Sequence, residues 1–363
     1  MIHLIDLIKK DLWAWVCANT TADKGSLDQS PSGFFVREQQ TSSQQPTDKE
    51  KEDLRFFGKS KLSLSAIPEA RAILVSGEQS SYLVTPFDDR KDNERLQTIN
   101  DAPASEFLFR VLFATKFNAP ATRSIPFRIA LEWAKDGALS HDFEDYLPRV
   151  DIESPAEEYA TYSIDLLAVL HLIQAKTRPG GDKSWLRDAT EELAIKVPEG
   201  HEWIYSEILT ALESKHLQYT YLLMYRVLEF FFPMPGINDL RKETKSDETH
   251  LSLLKKCTDK LGWHWKHGQS ARSVTKMAGS KRFLQPLIEM GIISPDNPDP
   301  EKAGDKLVLA RNKLSHQNYQ SLAIPESEIK AMTLAVVIFC TEAFEQYSQW
   351  LTTPKPTAHQ NGE

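Results

Sequence analysis

The chain has 363 residues, of which 41% are hydrophobic and 26% charged, as is typical of a soluble globular protein with two domains. Its formal net charge of −8 argues against nucleic-acid binding by the surface as a whole. Three cysteines, Cys17, Cys257 and Cys340, are too few and too scattered for a disulfide framework.

The N-terminal segment does not have the pattern of a signal peptide. Asp6 and Lys9 interrupt its short apolar stretch, and no basic start precedes it. No run of apolar residues approaches the length of a membrane span. We therefore expect a cytoplasmic protein without a membrane partner.

Residues 1–150 are predicted to form an α+β domain of unknown role. Residues 39–53 contain no apolar side chain, which indicates a disordered insertion. Three short runs are predicted strands, Lys61–Ala66, Arg71–Val75 and Ser81–Thr85, and the last two suggest a hairpin. The pattern becomes helical over residues 105–135. The region has no phosphate loop and no motif of a known hydrolase class.

From residue 151 onward the pattern is helical. Residues 151–199 are predicted to be a helical connection and residues 200–352 an all-α bundle. An aromatic-rich helix over residues 202–232 is expected at the centre of the bundle, because its large side chains require burial on nearly all sides. Shorter helices are expected over residues 250–261 and 281–290.

The last two predicted helices run from Glu301 to Gln317 and from Pro325 to Trp350. Proline and the glutamates that follow it suit the first turn of a helix. In the final helix one stripe of apolar residues recurs at spacings of three and four and is predicted core. Its members are Ile329, Met332, Val336, Cys340, Phe344 and Tyr347. Residues 353–363 are expected to be a disordered tail.

The motif that points to chemistry is Arg311-Asn312-x-x-x-His316, near the end of a predicted helix. Asn312 and His316 are four residues apart and share a helix face. Arg311 lies about 100° away around the helix, and its long side chain can lean back over that face. A histidine can move protons of a ribose hydroxyl near neutral pH, and an arginine can stabilise phosphoryl charge. Because RNA supplies its own nucleophile, this chemistry requires no metal.

The motif alone leaves an alternative open. An Arg-Asn-x-x-x-His sequence would arise by chance in roughly 2% of chains this long, given average residue usage. Arg311 and His316 could instead be solvated or capping side chains at a helix end.

In its context the motif resembles that of the HEPN superfamily. The chain has the motif near a helix end, then a short loop over residues 318–324 and one long terminal helix, with the aromatic helix upstream. The resemblance covers roughly residues 200–352. It implies a homodimeric helical bundle that cuts RNA without a metal or other cofactor, with Arg311 and His316 as the catalytic pair and Asn312 orienting them. Many such proteins are toxins or anti-phage effectors, so an antitoxin or a phage trigger is an expected partner.

A basic stretch over residues 255–282 is the predicted RNA-binding surface. Eight Lys and Arg residues stand there against the single acid Asp259, a local net charge of +7 in an acidic chain. Trp263 and Trp265 could stack on unpaired bases or fill a helix junction. The predicted RNA-binding residues are Lys266, Arg272, Lys276, Lys281, Arg282 and, beside the motif, Lys313.

Two other interpretations remain open at this point. The helical part could be a catalytically inactive dimer that binds RNA or a protein. A nuclease or ligand site could also lie in residues 1–150, although the spacing of acidic residues such as Asp88 and Glu144 does not indicate such a site. A zinc site is not expected, because the spacing of the candidate ligands matches no common pattern; they are His250, Cys257, His264 and His267.

Overall fold

The structure, a computed structural model, describes residues 12–19, 35–36, 60–77, 80–86, 96–98, 106–125, 130, 138–139, 145–155, 159, 161–261, 267–277, 281–315 and 324–351. The chain divides into two compact units, Met1–His171 and Leu172–Glu363. The first is built on a β-sheet and the second is helical among its described residues, so the chain is α+β.

The first unit contains an antiparallel sheet of five strands, β2 Lys61–Leu64, β3 Ile73–Ser76, β4 Ser81–Pro86, β5 Leu96–Thr98 and β7 Val150–Pro155. Their order in the sheet is β2-β3-β4-β7-β5. Alternating side chains from β3 and β4, among them Val75 and Val84, pack against Phe109 and Leu112 of the helix at Glu106–Lys116. The short strands β1 Phe35–Val36 and β6 Ala138–Leu139 pair in parallel, and the helices of the unit include residues 12–18, α1 Glu106–Lys116 and the beginning of α2 Ile164–Lys176.

The predicted hairpin is confirmed, since β3 and β4 pair antiparallel with Ser76 opposite Ser81. The boundary of the first domain was expected at residue 150. Strand β7 pairs with β4 on one side and β5 on the other, so the sheet includes residues 150–155. The insertion predicted over residues 39–53 lies outside the described residues.

The second unit is built of helices, several of which pack against a long final helix. Their bounds are α3 Arg187–Lys196, α4 Trp203–Glu213, α5 Leu217–Glu229, α6 Met234–Thr244, α7 His250–Leu261, α8 His267–Met277, α9 Gln285–Glu289, α10 Pro300–Ser315 and α11 Glu326–Leu351. Helix α11 packs against α3, α5 and α9. Phe344 and Phe339 of α11 meet Phe231 and Phe283 at centroid distances of 4.8 and 5.4 Å.

The predicted core stripe of the last helix is confirmed, because its six members are all buried. The prediction of one central helix over residues 202–232 is wrong. Helix α4 ends at Glu213 and α5 begins at Leu217, because Ser214 and His216 have extended ψ angles of 128° and 123°. Helix α11 instead has buried residues around most of its circumference. Among the described residues no helix combines the length and apolar character that crossing a bilayer requires.

Candidate active site

Helix α10, which carries Arg311 and Asn312, has two distinct faces. Its buried side is made of small and aliphatic residues that pack inside the unit. They are Ala303, Gly304, Leu307, Val308 and Ala310. The opposite side is exposed and holds Lys302, Lys306, Leu309, Asn312 and Lys313. The helix thus supports the motif from the core while presenting a polar surface.

Helix α8 fixes one flank of α10 by a close approach. A Cβ atom at Gly304 would lie 2.8 Å from Thr275 Oγ1 and 2.9 Å from the carbonyl oxygen of Ala271. Only glycine permits this helix spacing. The two helices run in opposite directions, because Arg272 pairs with Asp305 while Lys276, one turn later, pairs with Glu301, one turn earlier.

Helix α5 holds the other flank through residues spaced four apart, Tyr221, Tyr225 and Glu229. The Tyr221 hydroxyl donates a hydrogen bond of 2.6 Å to the carbonyl oxygen of Leu307. Burial raises the pKa of Tyr221 and of Tyr225, so both stay neutral as phenols. Glu229, at the end of this row, faces Arg311.

Arg311 is held between two polar groups. Its Nε atom lies 3.5 Å from Glu229 Oε1, and its Nη1 atom donates a hydrogen bond of 3.3 Å to Asn312 Oδ1. The side chain is 28% exposed, so solvent reaches part of the guanidinium. The expected lean of the arginine toward Asn312 is therefore observed. Helix α10 ends at Ser315, and His316 lies outside the described residues.

Three of the six predicted RNA-binding cations have acidic neighbours within the unit. Arg272 pairs with Asp305, Lys276 Nζ lies 2.8 Å from Glu301 Oε1, and Arg282 Nη1 donates a bond of 2.7 Å to Glu192 Oε1. These pairs partly neutralise the basic stretch. Lys281 and Lys313 are exposed, and Lys266 lies outside the described residues, as do Trp263 and Trp265.

Sequence reasoning missed Glu229 and Tyr221, the residues that tie α10 to α5. Their spacing was a usable signal, because positions 221, 225 and 229 fall on one face of a helix. What the spacing could not provide was the identity of the neighbouring helix.

A second polar arrangement, also missed, lies in the first unit. His171 Nδ1 is 2.8 Å from Glu153 Oε2, and its Nε2 atom is 2.9 Å from Thr85 Oγ1. In a catalytic triad, a hydroxyl is the nucleophile, an imidazole is its base and a carboxylate orients the imidazole, and these three groups follow the same order here. Thr85 is fully buried, however, and no substrate can reach it. The network joins strands β4 and β7 to helix α2 and satisfies three buried polar groups.

Comparisons with family models, with curated proteins and with solved structures found no match. The resemblance to HEPN proteins accordingly rests on the motif and its context in the sequence.

Proposed function

We propose that the protein is a metal-independent endoribonuclease that cuts single-stranded RNA. Arg311 and His316 are its catalytic pair, and Asn312 orients them. The observation that supports this most is the contact between Arg311 Nη1 and Asn312 Oδ1 at the end of α10, one turn before His316 in sequence. A cation and an amide held together at an exposed helix end suit the recognition of a phosphate.

The reaction uses groups of the RNA itself. His316 accepts the proton of a ribose 2′-hydroxyl, whose oxygen attacks the adjacent phosphorus. Arg311 stabilises the negative charge that builds up on the phosphoryl oxygens. The bond from phosphorus to the 5′-oxygen breaks, and that oxygen takes up a proton. The products are a 2′,3′-cyclic phosphate and a 5′-hydroxyl.

A homodimer would complete the site, as it does in HEPN proteins. One helix end forms a shallow surface, whereas two copies can enclose a strand and exclude water. The same resemblance supports a role as a toxin or anti-phage effector that an antitoxin restrains or a phage product triggers.

The direct test is cleavage of single-stranded RNA in EDTA by Arg311→Ala and His316→Ala. We expect each to lose at least about 100-fold in rate while fold and oligomeric state stay unchanged. Arg178→Ala and His216→Ala, at exposed positions outside the motif, are the matched controls and should cleave like the wild type. Activity that disappears in EDTA and returns with magnesium contradicts the proposal. Expression of the wild-type protein in a bacterial host should arrest growth, and His316→Ala should abolish this arrest. That result would show that the activity operates in the cell.

A second candidate function is a non-catalytic helical module that binds RNA or a protein. One observation favours it: Arg311 already has an anionic neighbour, Glu229, which is the environment of a structural arginine. In that case purified protein binds but never cuts, and both motif variants behave like the wild type.

A further inference from the structure

The exposed face of α10 carries a narrow row of cations, which we call the lysine stripe. It consists of Lys302, Lys306 and Lys313, with Leu309 among them. At 100° per residue these four positions fall within an arc of about 60°. The row is about 16 Å long at the rise of an α-helix, and it leads toward the motif.

Ion pairing between the helices leaves Lys306 and Lys313 as uncompensated charges of α10. Its two acids, Glu301 and Asp305, face α8 and pair with Lys276 and Arg272. Within the described part of the chain, Lys306 and Lys313 have no ion-pair partner, whereas Lys302 Nζ forms a long ion pair of 3.9 Å with Asp299 Oδ2. In the basic stretch, ion pairs partly neutralise Lys256, Arg272, Lys276 and Arg282, whereas Lys255, Lys260 and Lys281 have no ion-pair partner among the described residues.

We infer that single-stranded RNA lies along the lysine stripe, with its phosphates on Lys302, Lys306 and Lys313 and its sugars and bases against Leu309. The charge favours a polyanion, and the narrow row suits one strand better than a duplex. The inference rests on the proposed function for the identity of the polyanion, and it names a binding surface on the helix that carries the motif. Lys302 and Lys306 become binding residues in addition to Lys313.

Equilibrium binding measurements can distinguish RNA binding by the lysine stripe from RNA binding by the basic stretch over residues 255–282. The probe is a fluorescent oligouridylate, bound to the full-length His316→Ala protein so that cleavage does not interfere. The stripe variant carries Lys302→Gln and Lys306→Gln in addition to His316→Ala. The matched control adds Lys255→Gln and Lys260→Gln, which remove the same charge from exposed positions of α7.

At about 0.1 M salt each lost phosphate contact corresponds to about 5-fold in affinity, so we expect the stripe variant to bind about 25-fold more weakly. The slope of log affinity against log salt should flatten by about 1.4. The control should stay within about 2-fold of the parent. Equal affinity of the stripe variant and its parent, a larger loss in the control, or no binding by the parent overturns the inference.

The outcome does not depend on catalysis. If RNA binds through the stripe but the wild type never cleaves, the proposed ribonuclease activity fails while this inference holds. If the wild type cleaves and the stripe variant binds normally, the inference alone fails.

Discussion

At the scale of single residues, Arg311 combines two conditions that a catalytic arginine must meet. Glu229 and Asn312 restrict the position of the guanidinium, and 28% of the side chain remains exposed. A fixed donor costs less reorganisation at the moment of reaction than a freely moving one. The carboxylate at 3.5 Å therefore acts as a positioning group in the proposed mechanism.

Replacing this carboxylate tests its role. We expect Glu229→Gln to lower the single-turnover cleavage rate between about 10- and 100-fold, because the guanidinium loses its charged anchor, while KM changes little. Glu207→Gln is the matched control, since Glu207 pairs with Arg226 at 3.0 Å and not with Arg311. Equal rates for Glu229→Gln and the control would show that the anchor is not needed.

Two buried tyrosines of α5 offer a paired test of how α10 is held. Tyr221 donates a hydrogen bond to Leu307, whereas the Tyr225 hydroxyl has no hydrogen-bond partner among the described residues. We expect Tyr221→Phe to lower the free energy of unfolding by about 1 kcal/mol, and Tyr225→Phe to leave it unchanged or raise it slightly. Urea unfolding measures both. A larger loss for Tyr225→Phe would contradict this account.

At the scale of elements, the position of the motif depends on how closely α8 and α10 pack. The bounds of α10 were predicted to within two residues, because its apolar residues recur at helical spacing. Helix α8 was not predicted. Its buried side is formed by small residues, among them Ala271 and Thr275, which give little periodic signal although they permit the close contact at Gly304.

The glycine contact can be tested by adding one methyl group. We expect Gly304→Ala to destabilise the protein by about 1–3 kcal/mol, since the new Cβ would meet backbone atoms of Ala271 that cannot move independently. Gly268→Ala on α8 has open space around it and should instead stabilise by about 0.5–1 kcal/mol, the usual gain in a helix. Thermal unfolding compares the two. A neutral Gly304→Ala would mean that the helices are farther apart.

The break between α4 and α5 is a second feature that the local sequence pattern did not predict. Apolar residues stand at helical spacing on both sides of the break at Ser214 and His216, and the break contains neither glycine nor proline. Local pattern therefore predicts one helix, whereas packing of α4 against α5 requires two. Helix α11 was predicted well because its apolar stripe spans most of its length.

At the scale of the whole molecule, the α+β organisation was predictable, and the division between the units was not. Strand β7 lies next to predicted helices in sequence, but its partners β4 and β5 are about 70 and 55 residues earlier, and such long-range pairing leaves no local signal. The motif was predictable for the opposite reason. Arg311 and Asn312 are adjacent, so helical geometry alone brings them together.

The central claim is that the RNA provides the nucleophile and the protein provides Arg311 and His316. Its most direct test treats a single-stranded RNA and its fully 2′-O-methylated counterpart with the wild-type protein in EDTA, and identifies the products by mass spectrometry. The account predicts that only the unmodified strand is cut, with a 2′,3′-cyclic phosphate on the upstream product. Cleavage of the methylated strand, or cleavage of RNA only when a divalent metal is added, would contradict it.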